Sequence, residues 1–586
     1  MYFKGTLWRG ERGLPIILLA AVVQGWGLYG LHQSLVGQHW PATHTPLLLA
    51  LYAVAIFIPL TLQFLAQHAH QRATWIILAG LTALVGYFGW HTGAMSGRAA
   101  RDLLQTDEWV QLAFALVVLW LIALPFIQAR LAEGRWRARY PFFFATAWTN
   151  KLALAEAFAF TGLFWLLLFL WKSLFNLLGI GFFDALFEAP LFVYPVTAIV
   201  FGVALHLIGS VERLTSIVLE QVLSVLKWLA LVAGLILALF TIALVAKLPG
   251  MFASGQRVIG AAWLLWLVAV TVLLVNAAYR DGTVEQPYPR PIAIALRFVI
   301  PLVVIIALTA VIALYLRIQQ YGFTVERVWG CIVAAAAVFY SIGYALAAKR
   351  SSPWMSSIAQ VNIAVAVFML IVIALTLTPV LSPHRIAANS QYALALAERP
   401  SDPGTYGTPL QYLRYNSGVY GTRKLEALAA MDDRPELQKD AAAILAQERW
   451  SSGPTVDLNV DALLEAMRVY PAESEIDQSL TAQIENDMRN PSIGWQYSTT
   501  RGPLIGVFID LNDDAADEFV VLADQNAHAY ERTADGWRRA GHFLSPSAPP
   551  DSFIDILGAQ GASTVAPRLR DFRIGPYVFH LSPGMP

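Results

Sequence analysis

Eleven stretches of about 20 or more apolar residues crowd the first 381 positions of this chain, and they constrain its fold more than any other feature. A helix needs about 20 apolar residues to cross the roughly 30 Å hydrocarbon layer of a membrane. The stretches run approximately 14–36, 46–66, 73–93, 109–129, 152–176, 191–209, 217–246, 258–278, 293–316, 323–347 and 357–381. The first, with Lys4, Arg9 and Arg12 before it, is too long for a signal-peptide core and reads as a retained anchor. The seventh is long and carries Glu220 and Lys227 in its first turns, which are expected to overhang the interface. Between the fifth and sixth, residues 177–190 are apolar but broken by Gly179, Gly181 and Pro190, which favours a short surface helix over a re-entrant turn.

The fold class expected is a polytopic α-helical membrane protein with a C-terminal soluble α+β domain, divided at 381/382. Charge marks the same division. Residues 1–383 carry 23 Lys and Arg against 13 Asp and Glu, and the remainder 17 against 27, so a net charge of zero conceals two bodies of about +10 and −10. Only 14% of the chain is charged. That excludes a simple soluble enzyme, a disordered protein and a nucleic-acid binder. The lone Cys331 rules out an intramolecular disulfide and any multi-cysteine metal site.

Basic residues set the expected orientation. With the N-terminus placed in the cytoplasm, the loops on that side hold 15 Lys and Arg and the opposite loops hold 7. An odd number of spans then puts residues 382–586 on the far side. The expected location is a bacterial inner membrane with that domain in the periplasm.

Buried ionisable groups would signal transport or catalysis, and they are scarce. Glu156, His206, Arg297, Glu326 and Arg327 all lie toward helix ends, where headgroup contact or pairing is the plain reading. Gln24, Thr161, Asn276, Tyr340, Ser341, Tyr344 and Asn362 lie deeper and read as interhelical hydrogen-bonding groups. Gly25-Trp26-Gly27-Leu28-Tyr29-Gly30 matches a dinucleotide fingerprint but lies inside an apolar helix with no preceding strand, so it reads as small-residue packing. Ser224-Val225-Leu226-Lys227 lacks the companion motifs of a serine hydrolase. A glycosyltransferase using lipid-linked sugars would need a carboxylate in the first far-side loop. That loop has none, which leaves Asp102, Asp107 and Glu108 in the second.

Beyond Ser382, apolar spacing predicts helices at Arg385–Glu398, Gly421–Met431, Pro435–Arg449, Val460–Val469 and Ser474–Met488. Alternation then predicts strands at 504–510, 518–523, 527–532 and 537–543, with two more near 568–574 and 576–581, in a small antiparallel sheet. Between the first two strands, Asp510, Asn512, Asp514 and Glu518 occupy positions 1, 3, 5 and 9 of a calcium-loop pattern, with Ala515 where glycine is usual. This loop is the one cofactor candidate, for calcium. It resembles the calcium loops of integrin-type propeller blades, in one copy only.

Three stretches carry a wider resemblance. They are Arg317 to Arg327 with its Tyr321-Gly322 turn, Arg385 to Gln391, and Tyr412-Leu413-Arg414-Tyr415 followed by Tyr420-Gly421. Together with eleven spans they resemble the bacterial membrane family called domain of unknown function 4153. The resemblance implies a bacterial inner membrane and no assigned activity. In the first stretch Thr324 is expected to cap the following helix, and Tyr321, Thr324, Glu326 and Arg327 form the candidate contact for a lipid phosphate or other ligand. The function expected is a non-enzymatic envelope scaffold or sensor, embedded in the lipid bilayer, whose far-side domain binds a periplasmic or membrane protein. The alternatives are a transporter or flippase of a lipid-linked substrate, and the glycosyltransferase.

Overall fold

The computed structural model describes residues 13–100, 107–210, 212–254, 260–284, 287–349, 354–399 and 407–446. Beyond them it describes 464, 466–471, 474, 476–489, 504–512, 514–523, 526–533, 536–544, 557, 562, 564, 572–574 and 577–579. The chain forms two compact units, Met1–Leu445 and Ala446–Pro586.

The first unit holds the apolar helices α1 (Gly13–Val36), α2 (Thr45–Phe64), α3 (Arg72–Ser96), α4 (Asp107–Glu133), α5 (Tyr140–Leu177), α7 (Pro190–Ser210), α8 (Glu212–Ser254), α9 (Ala261–Tyr279), α10 (Arg290–Val299), α11 (Val303–Tyr321), α12 (Val325–Ala347) and α13 (Ile358–Thr376). α10 and α11 are two halves of one span. Pro301 lacks an N–H and would clash with the preceding turn, and a 3-10 turn at Ile300–Leu302 joins the halves. Among the described residues, eleven helical segments are therefore long and apolar enough to cross a membrane. Large apolar side chains such as Phe158, Leu166, Leu239 and Trp263 point outward, as lipid-facing helices require.

Gly25 explains its own motif. A Cβ there would lie 2.5 Å from the Pro195 Cα, so the glycine lets α1 and α7 approach closely. The apolar segment after α5 forms α6 (Phe182–Glu188), a short helix. Lys172 ties it back with ion pairs to Asp184 (2.9 Å) and Glu188 (2.6 Å).

Four further helices complete this unit: α14 (Pro383–Leu396), α15 (Pro409–Asn416), α16 (Gly418–Ala429) and α17 (Pro435–Ala446). The apolar spans end near 381, but the compact unit runs on to Leu445. Leu410, Leu413, Leu425, Leu428 and Ala441 form a core among these helices. A smaller cluster of Val325, Ala387 and Tyr412 joins α14 and α15 to α12. We call α14–α16 the collar.

The second unit contains α18 (Gln478–Arg489) and a five-stranded sheet in the order β1 (Arg468–Tyr470), β2 (Ile505–Ile509), β3 (Glu518–Ala523), β4 (Asn526–Thr533), β5 (Gly536–Leu544). β6 (Phe572–Ile574) and β7 (Tyr577–Phe579) pair separately. Leu480, Ile484, Met488, Leu504, Phe519, Val521 and Tyr530 make the core between α18 and the sheet.

Three expectations need correction. The sheet is mixed, because β1 runs parallel to β2 through the α18 crossover. Residues 468–470 are that strand, so they do not continue the helix expected at 460–469; residues 460–463 lie outside the described residues. α18 begins at Gln478, later than expected, because the Asp477 carboxylate accepts the Ser479 and Leu480 N–H groups and sets the helix start there. Hydrogen bonds from the Ser479 hydroxyl, from Trp537 and from these N–H groups hold the Asp477 carboxyl well below the usual range.

Candidate functional site

The three stretches that carried the resemblance meet at one end of the bundle, where α11 turns into α12. Gly322 takes φ +69° in that turn, and a Cβ there would lie 2.7 Å from Ser390 Oγ, so the position requires glycine. α14 clasps the turn. Ser390 Oγ accepts the Phe323 N–H (2.8 Å), and Gln391 Nε2 donates to the carbonyls of Tyr321 (3.2 Å) and Phe323 (2.9 Å). From α15, Tyr412 Oη accepts the Val325 N–H at 2.9 Å. Arg399 Nη2 donates to the carbonyls of Gln319 and Gln320, which end α11.

The four predicted contact residues share this turn. Thr324 Oγ1 caps α12 by accepting the Arg327 N–H. The Arg327 guanidinium lies over the Tyr321 ring and donates to the carbonyls of Tyr321 (3.3 Å) and Gly322 (2.8 Å). Its Nη1 group thus serves the turn.

A second group beside it was not predicted. Arg98, just past α3, forms an ion pair of 3.4 Å with Glu108 of α4, and both side chains are under 10% exposed. Arg98 Nη2 also donates to the Tyr415 carbonyl (2.8 Å) in the last turn of α15, and Thr45 Oγ1 donates to the Arg98 carbonyl (2.8 Å). His384, at the start of α14, is buried within electrostatic reach of Glu108, Glu326, Arg98 and His91. Burial pushes its imidazole below the ordinary value. Arg98 and His91 act in the same direction, and Glu108 and Glu326 oppose them. Ser382 Oγ donates to Met95 Sδ at 3.3 Å, closing the same junction.

Glu108 is thus the partner of Arg98. Asp107 opens α4, and Asp102 lies outside the described residues. Arg297, Arg327 and Glu156, which a transport path lined by ionisable groups would have to bring together, are dispersed. Arg297 donates to the carbonyls of Ala348 (2.6 Å) and Lys349 (3.0 Å). It and Tyr321, where Arg327 binds, lie about 36 Å apart along one span. Glu156 bonds Thr215.

Three of the deeper polar groups close on one another and on Tyr140. The single Tyr344 O–H lies 2.9 Å from both the Asn276 and the Asn362 Oδ1, and Asn362 Nδ2 donates to Tyr140 Oη (2.8 Å). A crevice bordered by Ala230, Leu237, Tyr288 and Trp354 has room for about 10 Å³, the lower limit for a single water.

A family model described as a domain of unknown function (DUF4153) matches residues 75–412, more than half of the chain. The chain belongs to that family. Comparisons with curated proteins and with solved structures give no match. The DUF4153 stretch begins in α3 and ends at Tyr412. It therefore includes His91, Arg98, Glu108, Glu326, Arg327 and His384, and leaves the second unit outside.

In the second unit the β2–β3 loop gathers Asp510, Asn512, Asp514 and Glu518. Asp510 accepts the N–H groups of Asn512 (3.2 Å), Asp514 (3.3 Å) and Ala515 (2.9 Å). Asn512 Nδ2 donates to Asp514 (3.0 Å) and Glu518 (2.8 Å). Ala515 takes φ +65°, the conformation glycine supplies in such loops. Among the described residues, no group of three or more His, Cys, Asp or Glu side chains is arranged to hold a metal ion.

His528 of β4 is fully buried and faces His542 of β5. Burial, Arg539 and His542 push its imidazole down to about 4. Because the folded value is depressed, its contribution to stability is complete above about pH 6.5 and is lost as pH falls through 4. The melting temperature of the second unit is expected to fall between pH 6.5 and 4, and His528→Leu to flatten that slope. An equal slope in the variant would refute the assignment.

Proposed function

We propose that this protein is a non-enzymatic envelope sensor or scaffold in a bacterial inner membrane. Its N-terminus is cytoplasmic, and its collar and second unit are periplasmic and bind a protein partner. One observation carries the reading: among the described residues, the Arg98–Glu108 pair and Tyr412 hold the collar, the Tyr344, Asn276, Asn362 and Tyr140 side chains bond one another, and these groups do not converge on a cavity. The twofold excess of Lys and Arg in alternate loops supports the orientation. A C-terminal alkaline phosphatase fusion is expected to be active and a C-terminal fluorescent-protein fusion dark.

Native mass spectrometry of the gently solubilised chain tests the role. A stoichiometric protein partner with only generic phospholipid is expected. A stoichiometric lipid-linked sugar would overturn the reading in favour of a flippase or glycosyltransferase.

Calcium is a second proposal, confined to the β2–β3 loop and supported by its three carboxylates and the left-handed Ala515. Binding would require the Asn512 amide to turn its oxygen inward. At 100 times Kd the ion would add about 2.7 kcal/mol. Calcium is expected to raise the melting temperature of the second unit, and Asp510→Ala to abolish the rise. No shift at millimolar calcium would sink the idea.

A further inference from the structure

We infer that the buried group of His91, Arg98, Glu108, Glu326 and His384 is a proton-binding site whose protonation releases the collar from the end of the bundle. The inference supplies an input for the sensor proposed above and rests on that reading only for its use in the cell.

Four segments distant in sequence bring titratable or charged groups to His384. They are α3 with His91, the segment after it with Arg98, α4 with Glu108, and α12 with Glu326. From α15 and α16, Leu410, Leu413 and Leu425 pack into the same helical core as α14. Arg98 is the charged tie among several contacts between bundle and collar, because one guanidinium pairs with Glu108 and bonds the Tyr415 carbonyl.

His91 is a second proton acceptor. One ring nitrogen bonds the Leu377 carbonyl, and Nε2 is buried with no hydrogen-bond partner. A buried, unpaired imidazole nitrogen within electrostatic reach of His384 is costly to keep for packing alone. As a proton site it has a use.

The direction follows from linkage. Docking depresses the His384 imidazole, so the docked collar binds a proton less readily than a released one. Docking is therefore fully favoured above about pH 6.5 and is weakened as pH falls below that value. Locally, a proton on His384 gives Glu108 a second cationic partner and places a new positive charge beside Arg98. Both effects loosen the Arg98 tie to Tyr415.

The test uses the full chain in lipid nanodiscs, with Cys331→Ser as background. Spin labels go on the exposed Thr43→Cys, two residues before the Thr45 that bonds the Arg98 carbonyl, and on the exposed Glu426→Cys of α16. Double electron–electron resonance then reads the distance between them at several pH values. One short distance is expected at pH 7.5. A longer population should grow by about five-fold or more toward pH 5. His384→Gln should hold the short distance at both pH values, and His91→Gln should reduce the response. An unchanged distance in the unsubstituted site overturns the inference, even if His384→Gln does not fold. So does an undiminished response in His384→Gln. No partner takes part, so this result and the partner experiment fail separately.

Discussion

Arg98→Ala is expected to cost the docked collar about 3–5 kcal/mol, because it strands Glu108 as an unpaired charge away from water. It also removes the donor to the Tyr415 carbonyl. Coulomb attraction alone does not set the size of this effect. A buried ion pair gains little over well-packed apolar groups, whereas half of one is strongly destabilising. The double variant Arg98→Met with Glu108→Leu should therefore lose much less than the sum of the two single changes. Hydrogen exchange across α14–α16 in the full chain gives the free energies. An Arg98→Ala variant whose collar exchanges as slowly as the parent would contradict the assignment of the pair as a tie between collar and bundle.

The second large effect is expected at Gly418, where α16 meets the end of α3. Its φ is +58°, and an added Cβ would lie 2.5 Å from the Met95 carbonyl oxygen. The left-handed conformation alone costs an L-residue about 1–2 kcal/mol. The overlap adds to this because a backbone carbonyl cannot rotate aside. Gly418→Ala is expected to weaken collar docking by about 2–4 kcal/mol. Gly179→Ala is the control: its φ is +78° with open space around it, so it carries only the conformational part. Equal losses in the two variants would show that the Met95 contact is unimportant.

The spans were legible because each is a long apolar window, and a membrane leaves helices as the way to satisfy their backbone. The break at Pro301 was visible as a proline, but the surrounding hydropathy is continuous. α15 was missed as a helix because eight residues are too few for a 3.6-residue period to emerge. Its signal was a capping box, Thr408 with Gln411, followed by Pro409 at the first turn. β1 was read as helix because its partner β2 lies beyond α18, and a three-residue strand has no pattern of its own.

The Arg98 group was the least legible. Arg98 and Tyr415 are 317 positions apart, and no motif spacing joins them. Glu108 could be singled out only as a carboxylate in a loop, and Arg327 only as a cation near a turn. Their partners, a buried guanidinium and two carbonyls, are products of the fold. The three stretches that suggested the family did mark the junction, since all of them touch the clasp around Gly322.

The central claim, that the soluble part of this membrane protein binds a protein partner, is tested most directly by photo-cross-linking in living cells. A benzophenone amino acid placed at the exposed Leu511 or Phe543 of the second unit reports what lies against it. The account predicts one discrete protein adduct. The adducted protein, purified separately, should then bind the full chain in stoichiometric amount. Adducts to lipid alone, or a captured protein that does not bind when purified, would contradict it.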